Sequence, residues 1–173
     1  LSMRNPIRLV ARSIDETGRG VGVGPDGLAV HVTDLLPGES AVVAVAHRSP
    51  HRQEAWADIV ERIGELSPDR SVPACPAFGQ CGGCGWQHLA YPAQLAAKRA
   101  RIVAGLGGAV DEAMVPAVAP SASPLGYRNK GKYVVGRISD RIVLGAYAPR
   151  SHRLVDTAGC RVVAPVIDEV AAW

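Results

Sequence analysis

Gly18-Arg19-Gly20-Val21-Gly22-Val23-Gly24-Pro25-Asp26-Gly27-Leu28-Ala29-Val30-His31-Val32 is the stretch on which the fold turns. Its glycines invite comparison with a nucleotide-binding loop, but such a loop needs a strand before the glycines and a helix after them. Here they lead into a β-branched segment, then Pro25-Asp26-Gly27, whose composition is that of a tight turn, then a second alternating segment. No Gly-Lys-Ser/Thr ending of a P-loop is present. The glycines therefore read as hairpin and barrel-bend residues.

Outward from this hairpin the pattern repeats. Ile7 to Ile14 reads as a strand with imperfect alternation. Pro37-Gly38-Glu39 forms a turn before Ala41 to Ala46, and Ala55 to Ile63 supplies a last apolar segment. About five short strands in some sixty residues suit a small OB-like barrel, which closes its own edges. The polar, proline-bearing stretch Glu65 to Pro73 marks a boundary, giving residues 1–64 and 65–173 as two domains. In the second, Pro92 to Leu106 has helical spacing at Leu95, Arg99, Ile102 and Leu106, with Gly107-Gly108 ending it. A short strand is expected near Val115 to Ala119. Two longer ones, Arg128 to Ile138 and Arg141 to Tyr147, are joined as a hairpin at Ser139-Asp140. Pro165 opens a further helix within which the sequence stops at Trp173, the mark of a fragment. The fold class is mainly β with some α (α+β).

Composition bounds the function. The 173 residues are 47% hydrophobic and 20% charged, which excludes a wholly disordered chain. The longest apolar run, Ala41 to Ala46, is far short of the roughly 20 residues of a membrane span. Leu1-Ser2-Met3-Arg4-Asn5-Pro6 has no apolar signal-peptide region, and Leu1-Ser2 reads as a vector remnant. A cytoplasmic protein is expected. The net charge is only +3, yet between Tyr127 and Arg161 eight basic residues face two acidic ones. Such a local positive field suits a phosphate backbone, although a solvated sheet surface has the same composition.

All four cysteines follow the boundary, in the pattern C-x5-C-x2-C-x75-C at Cys75, Cys81, Cys84 and Cys160. Clustered cysteines without a secretion signal favour metal or redox chemistry over disulfides. Gly82-Gly83 lets the backbone wrap tightly and point amides at sulfur, and Pro76 follows a candidate ligand as proline does in many iron–sulfur sites. Phe78, Trp86 and Tyr91 are placed to shield the thiolates. A [4Fe–4S] cluster takes four thiolates and accepts a distant fourth ligand. Structural zinc usually takes two close pairs, and only one pair is close here, so spacing favours the cluster. A thioredoxin-like CxxC lacks its βαβ context, and four unrelated cysteines remain a further reading. His88 reads as a packing residue rather than a ligand.

Cys75-Pro76-Ala77-Phe78-Gly79-Gln80-Cys81-Gly82-Gly83-Cys84-Gly85-Trp86-Gln87-His88 resembles the cluster-binding segment of the bacterial RNA uracil-5 methyltransferases, in particular their ribosomal-RNA branch of the RumA type. Asp15-Glu16-Thr17-Gly18-Arg19-Gly20-Val21-Gly22 and Leu36-Pro37-Gly38-Glu39 are similar to motifs of the TRAM domain, which opens those proteins. Tyr127-Arg128-Asn129-Lys130 and Cys160 fall where the family has a Tyr-Arg-Asn-Lys-like strand and its fourth ligand. The resemblance implies a TRAM domain in residues 1–64 and a [4Fe–4S] domain in residues 65–173. It implies that Cys75, Cys81, Cys84 and Cys160 are the ligands, and that the partner is RNA, specifically 23S rRNA.

Family enzymes add a Rossmann-like domain that binds S-adenosylmethionine and supplies a cysteine nucleophile for C6 of a flipped-out uracil. That machinery is not recognisable here, and a cysteine tied to a cluster is not a free nucleophile. The chain alone is thus expected to be a catalytically inactive, monomeric RNA-recognition portion. On a strand, Arg128, Lys130 and Lys132 would share one face and Tyr127, Asn129 and Tyr133 the other. The cationic ridge would track single-stranded RNA while Tyr127 or Tyr133 stacks on a base, the other reading of each Tyr being a core residue. The alternative is a stand-alone RNA-binding module holding zinc or a cluster without catalysis.

Overall fold

The computed structural model describes residues 6–171. Leu1-Ser2, read as a vector remnant, and the terminal Trp173 lie outside the described residues. The chain is mainly β, with six strands followed by a helix, a three-stranded sheet and a last short helix.

The first sheet comprises β1 (Ile7–Val10), β2 (Ser13–Ile14), β3 (Gly20–Val23), β4 (Ala29–Val32), β5 (Ser40–Arg48) and β6 (Glu54–Ile63), in the order β1-β5-β6-β4-β3-β2. β1 and β2 are two halves of one bent segment: β1 pairs with β5, and β2 pairs with β3. The two ends of the sheet are therefore carried by one piece of chain, and the sheet closes as the expected five-membered barrel. β4 and β6 pair in parallel, and the other neighbours are antiparallel.

Alternate residues point inward, as a pleated strand requires. Leu9, Val30, Val32, Ala41, Val43, Ala55 and Ala57 form the core with Leu28 and Leu35. Gly22 is dictated by close approach: a Cβ there would lie 2.5 Å from the Val10 carbonyl oxygen. The Pro25-Asp26-Gly27 turn is closed by Gly27 N–H donating to Gly24 O at 3.0 Å, with Gly27 at φ +78.

The segment after the barrel is strapped to it. The Gly38 turn (φ +88) swings the buried Glu39 carboxylate under Leu36, whose amide donates to Oε2 at 3.0 Å. Arg70 grips the same carboxylate with Nε to Oε1 and Nη2 to Oε2, both at 2.7 Å, while Arg62 and the Ser67 amide add further bonds. Burial opposes ionisation of Glu39, but the Arg70 hydrogen bonds and charge, with the Leu36 and Ser67 amides, prevail and hold its pKa at about 2.

A second cluster joins Ile14 and Leu36 of the barrel to Leu89, with Trp86, Ala93 and Ala97 against them. Ala93 and Ala97 belong to α1 (Tyr91–Gly105), whose start is set by Pro92 in its first turn. Its contact face is thus the small-residue one, and Ile102 on the expected apolar stripe is 51% exposed. The strand expected near Val115 does not form. Arg99 donates to the carbonyls of Val115 and Glu112, which holds a 3₁₀ turn, Glu112–Met114, against the helix.

The second sheet is β7 (Val134–Ile138), β8 (Arg141–Tyr147) and β9 (Leu154–Asp156), all antiparallel. The hairpin turns at Ser139-Asp140 as expected, with Ser139 at φ 54. β7 starts six residues later than the sequence pattern suggests. Arg128 N–H donates instead to Val162 O, and Arg128 O accepts from Ala164 N–H. The chain is therefore tied to the segment before α2 (Pro165–Ala171) before it reaches β7. No helix among the described residues is long and apolar enough to cross a membrane.

Candidate metal centre and nucleic-acid surface

The cysteine loop is a series of tight turns. Phe78 N–H donates to Cys75 O, Cys81 N–H to Ala77 O, and Gly82 N–H to Tyr147 O on the second sheet. Gly83 N–H points at the Cys81 sulfur, with nitrogen and sulfur 3.3 Å apart, as the glycine pair predicts. The loop is pinned to the barrel by backbone contact. A Cβ on Gly18 would sit 1.8 Å from Gly85 O, and one on Gly85 would sit 1.9 Å from Thr17 O. Trp86 Nε1–H donates to Glu16 O at 3.0 Å. The quoted motif from Asp15 shapes that receiving loop: Asp15 Oδ1 accepts from the amides of Thr17 and Arg19, and Oδ2 pairs with His31 Nδ1 at 2.7 Å. Burial raises the Asp15 pKa, but these bonds outweigh it and lower the pKa overall.

Cys160 arrives from the other side, following β9 and a Gly159 turn (φ +75), with its amide held by Asp168 Oδ1 of α2 at 3.0 Å. All four cysteines, separated by up to 85 positions, line one cavity of about 140 Å³. None is in a disulfide. Among the described residues no group of three or more His, Cys, Asp or Glu side chains is drawn together as a single metal ion would require.

Burial pushes the Cys84 thiol up, as do Cys160 and Cys75, while Gln87 and the Arg128 charge pull it down. Gln87 Oε1 accepts from Cys75 N–H at 3.0 Å, but its buried Nε2 completes no hydrogen bond, and neither does the buried Tyr133 hydroxyl. Each side chain lines the cavity. Leaving such a group unpaired costs about 1–3 kcal/mol. Two orphaned donors beside four thiols thus fit an electron-rich, acceptor-bearing guest.

The structure divides the residues read as RNA-binding. Arg128, Lys130 and Lys132 line the cysteine cavity, with Arg128 half-buried and Nη2 reaching toward Gly83 O at 3.5 Å. They sit on irregular chain before β7, so strand alternation does not order them. Lys130, Lys132 and Asn129 are exposed. Tyr127, 57% exposed, opens instead onto a larger cleft of about 780 Å³ between the Glu16 loop, the cysteine loop and α1, lined also by Trp86, Tyr91, Lys98 and Arg101.

Of the three aromatics expected to shield the sulfurs, Phe78 does line the cavity, whereas Trp86 and Tyr91 face the larger cleft. His88 is 2% exposed and packs on Phe78 with ring centroids 5.4 Å apart, a packing residue as read. Sequence reasoning missed Gln87 and the Glu39–Arg70 clamp, and it placed Tyr133 on an RNA-facing strand whereas the side chain lines the cysteine cavity. Gln87 lay inside the cysteine segment, but so did Gln80, and the sequence does not say which amide turns toward the cavity.

No family model matches the chain. It is similar to an uncharacterized RNA methyltransferase of Thermosynechococcus vestitus, 37% identical over 169 residues, covering 96% of this chain and 36% of the relative. An uncharacterized RNA methyltransferase of Caldanaerobacter subterraneus is 33% identical over 162 residues, covering 92% and 35% respectively. One of Listeria monocytogenes is 31% identical over 165 residues, covering 94% and 35%. The chain spans about a third of the length of these curated relatives. The matches run through the barrel, the cysteine loop and the second sheet alike, so over nearly its whole length the chain is similar to a part of proteins named RNA methyltransferases.

Proposed function

We propose that the chain is the RNA-recognition portion of an S-adenosylmethionine-dependent methyltransferase of the RumA type, acting on C5 of a uridine in ribosomal RNA, 23S rRNA by the resemblance. In this reading residues 1–64 are a TRAM domain. Cys75, Cys81, Cys84 and Cys160 hold a [4Fe–4S] cluster, and the portion works in the cytoplasm as a monomer. The observation that carries the reading is the gathering of four distant cysteines around one cavity, beside unpaired donors, in a chain whose relatives are named RNA methyltransferases. A cluster accepts four thiolates with a distant fourth ligand, whereas structural zinc usually takes two close pairs, and only one close pair is present here.

The cluster, when bound, supplies a covalent tie between the Cys75–Cys84 loop and the Cys160 turn, so its binding free energy becomes folding free energy. The remaining roles belong to side chains. Lys130 and Lys132, exposed at the rim, meet RNA phosphates, with Arg128 adding its charge from within. Asn129 faces nucleotides beside them, and Tyr127, on the neighbouring larger cleft, is free to stack on a base, a contact worth about 1–3 kcal/mol. S-adenosylmethionine and the nucleophile belong to the longer protein.

Anaerobic purification followed by iron, sulfide and zinc analysis tests the reading. About four irons per chain with brown colour is expected. Colourless protein with about one zinc would replace it with a zinc-holding RNA-binding module.

A further inference from the structure

We infer that Tyr133 and Gln87 are hydrogen-bond donors to the sulfurs of the bound cluster and set its reduction potential. This rests on the cluster reading above and goes beyond it, because it assigns work to two residues that ligate nothing.

Three independent features of the cavity converge. The Tyr133 hydroxyl and Gln87 Nε2 are both shut off from solvent without an acceptor, yet each side chain lines the space that the four cysteines enclose. Buried polar groups are almost always paired, so two orphans on one small cavity point to a guest with acceptors. The Gln87 amide nitrogen is a donor and the Tyr133 hydroxyl can act as one, so both suit a guest rich in sulfur lone pairs. Gln87 is also fixed in orientation. Its Oε1 is occupied by the Cys75 amide at 3.0 Å, so its NH₂ must point the other way, past Cys84. Tyr133 is fixed by its own chain, since its ring fills the space that a Gly131 side chain would need, 2.5 Å from that site. With the Gly83 amide at the Cys81 sulfur, donors approach the cavity from two segments, the cysteine loop and the chain leading into β7.

The chemical effect has a definite sign. A hydrogen bond to thiolate or sulfide withdraws electron density and stabilises the more negative, reduced cluster, so donors raise the potential. Arg128 at the same wall acts in the same direction through its charge.

The test is a redox titration of the anaerobically purified chain and its Tyr133→Phe variant, which removes one oxygen atom and leaves the ring. Gln87→Glu is the second variant, since it retains an acceptor for the Cys75 amide but exchanges the donor for a negative charge. Iron and sulfide content are measured on all three. The expected result is full iron content throughout, with the midpoint potential lowered in Tyr133→Phe and lowered further in Gln87→Glu. Tyr133→Phe should also lose part of the shift that D₂O exchange causes in the Fe–S stretching bands. Iron-loaded variants with the wild-type potential and the wild-type D₂O response would overturn the inference while leaving the cluster reading intact. Wild-type protein without iron would overturn the cluster reading itself.

Discussion

Replacing Glu39 by Gln tests the clamp that straps the post-barrel segment to the barrel. The carboxylate is 2% exposed and bonded by Arg70, Arg62 and two amides, and its pKa is held at about 2 against an ordinary 4.5. That difference corresponds to about 3 kcal/mol of folding free energy, at 1.36 kcal/mol per unit. The sign follows from linkage. Because the folded pKa is depressed, the unfolded chain binds more protons in the window between the two values. The stabilisation is therefore complete above about pH 4.5 and lost as pH falls through about 2. Gln has nearly the shape of protonated Glu, so the variant should behave at neutral pH as the wild type does in acid. Urea unfolding of both chains from pH 7 to pH 2, followed by tryptophan fluorescence, should show the variant weaker by about 3 kcal/mol at pH 7. The gap should close toward pH 2. Parallel stability curves for the two chains, whatever their offset, would refute the assignment of this acid sensitivity to Glu39.

Gly85→Ala should drive a Cβ to within 1.9 Å of Thr17 O, separating the cysteine loop from the barrel at a cost of about 1–3 kcal/mol; a melting temperature equal to wild type would contradict this. Cys160→Ser should leave the barrel folded, as judged by circular dichroism, while iron content falls well below the wild-type value. Lys130→Ala with Lys132→Ala should weaken binding to single-stranded RNA and reduce the slope of log affinity against log salt by about 1 for each lysine. An unchanged slope in filter-binding measurements would remove these lysines from the contact surface.

The barrel was legible because its signals are local. Period-two alternation around Val30 and Val43 and the turns at Gly27 and Gly38 act within a few residues, and the glycines of β3 mark close approach, not a phosphate loop. The imperfect alternation of Ile7 to Ile14 also had a cause. The segment bends between Val10 and Ser13 and changes partner from β5 to β3, so its inward face changes with it. Residues 128–133 misled the reading for a related reason. They alternate like a strand, but their hydrogen bonds at Arg128 go to the 162–164 segment instead of a ladder with β8. The four cysteines were legible as one set, and they do line one cavity. The hydrogen-bond partners around it were not, because Gln87 of the cysteine loop and Arg128 and Tyr133 of the chain before β7 are brought to one wall only by the tertiary fold. The Glu39–Arg70 pair is of the same kind, since nothing within 31 positions of a single sequence couples one charge to the other.

The strap and the Trp86 bond together shorten the leash on the cysteine loop. Arg70 is anchored five positions before Cys75, a reach of at most about 18 Å of extended chain, and Trp86 is anchored two positions after Cys84. Three thiols are thus confined to a small volume by contacts that involve nothing beyond α1, and their effective concentration toward one another is high before the second sheet exists. Cys160 is made 76 positions after Cys84, which at about 5–20 residues per second is an interval of roughly 4–15 s on the ribosome. Cys160 is thus the last of the four cysteines to be made, and it is the second sheet and the Gly159 turn that deliver it to the other three.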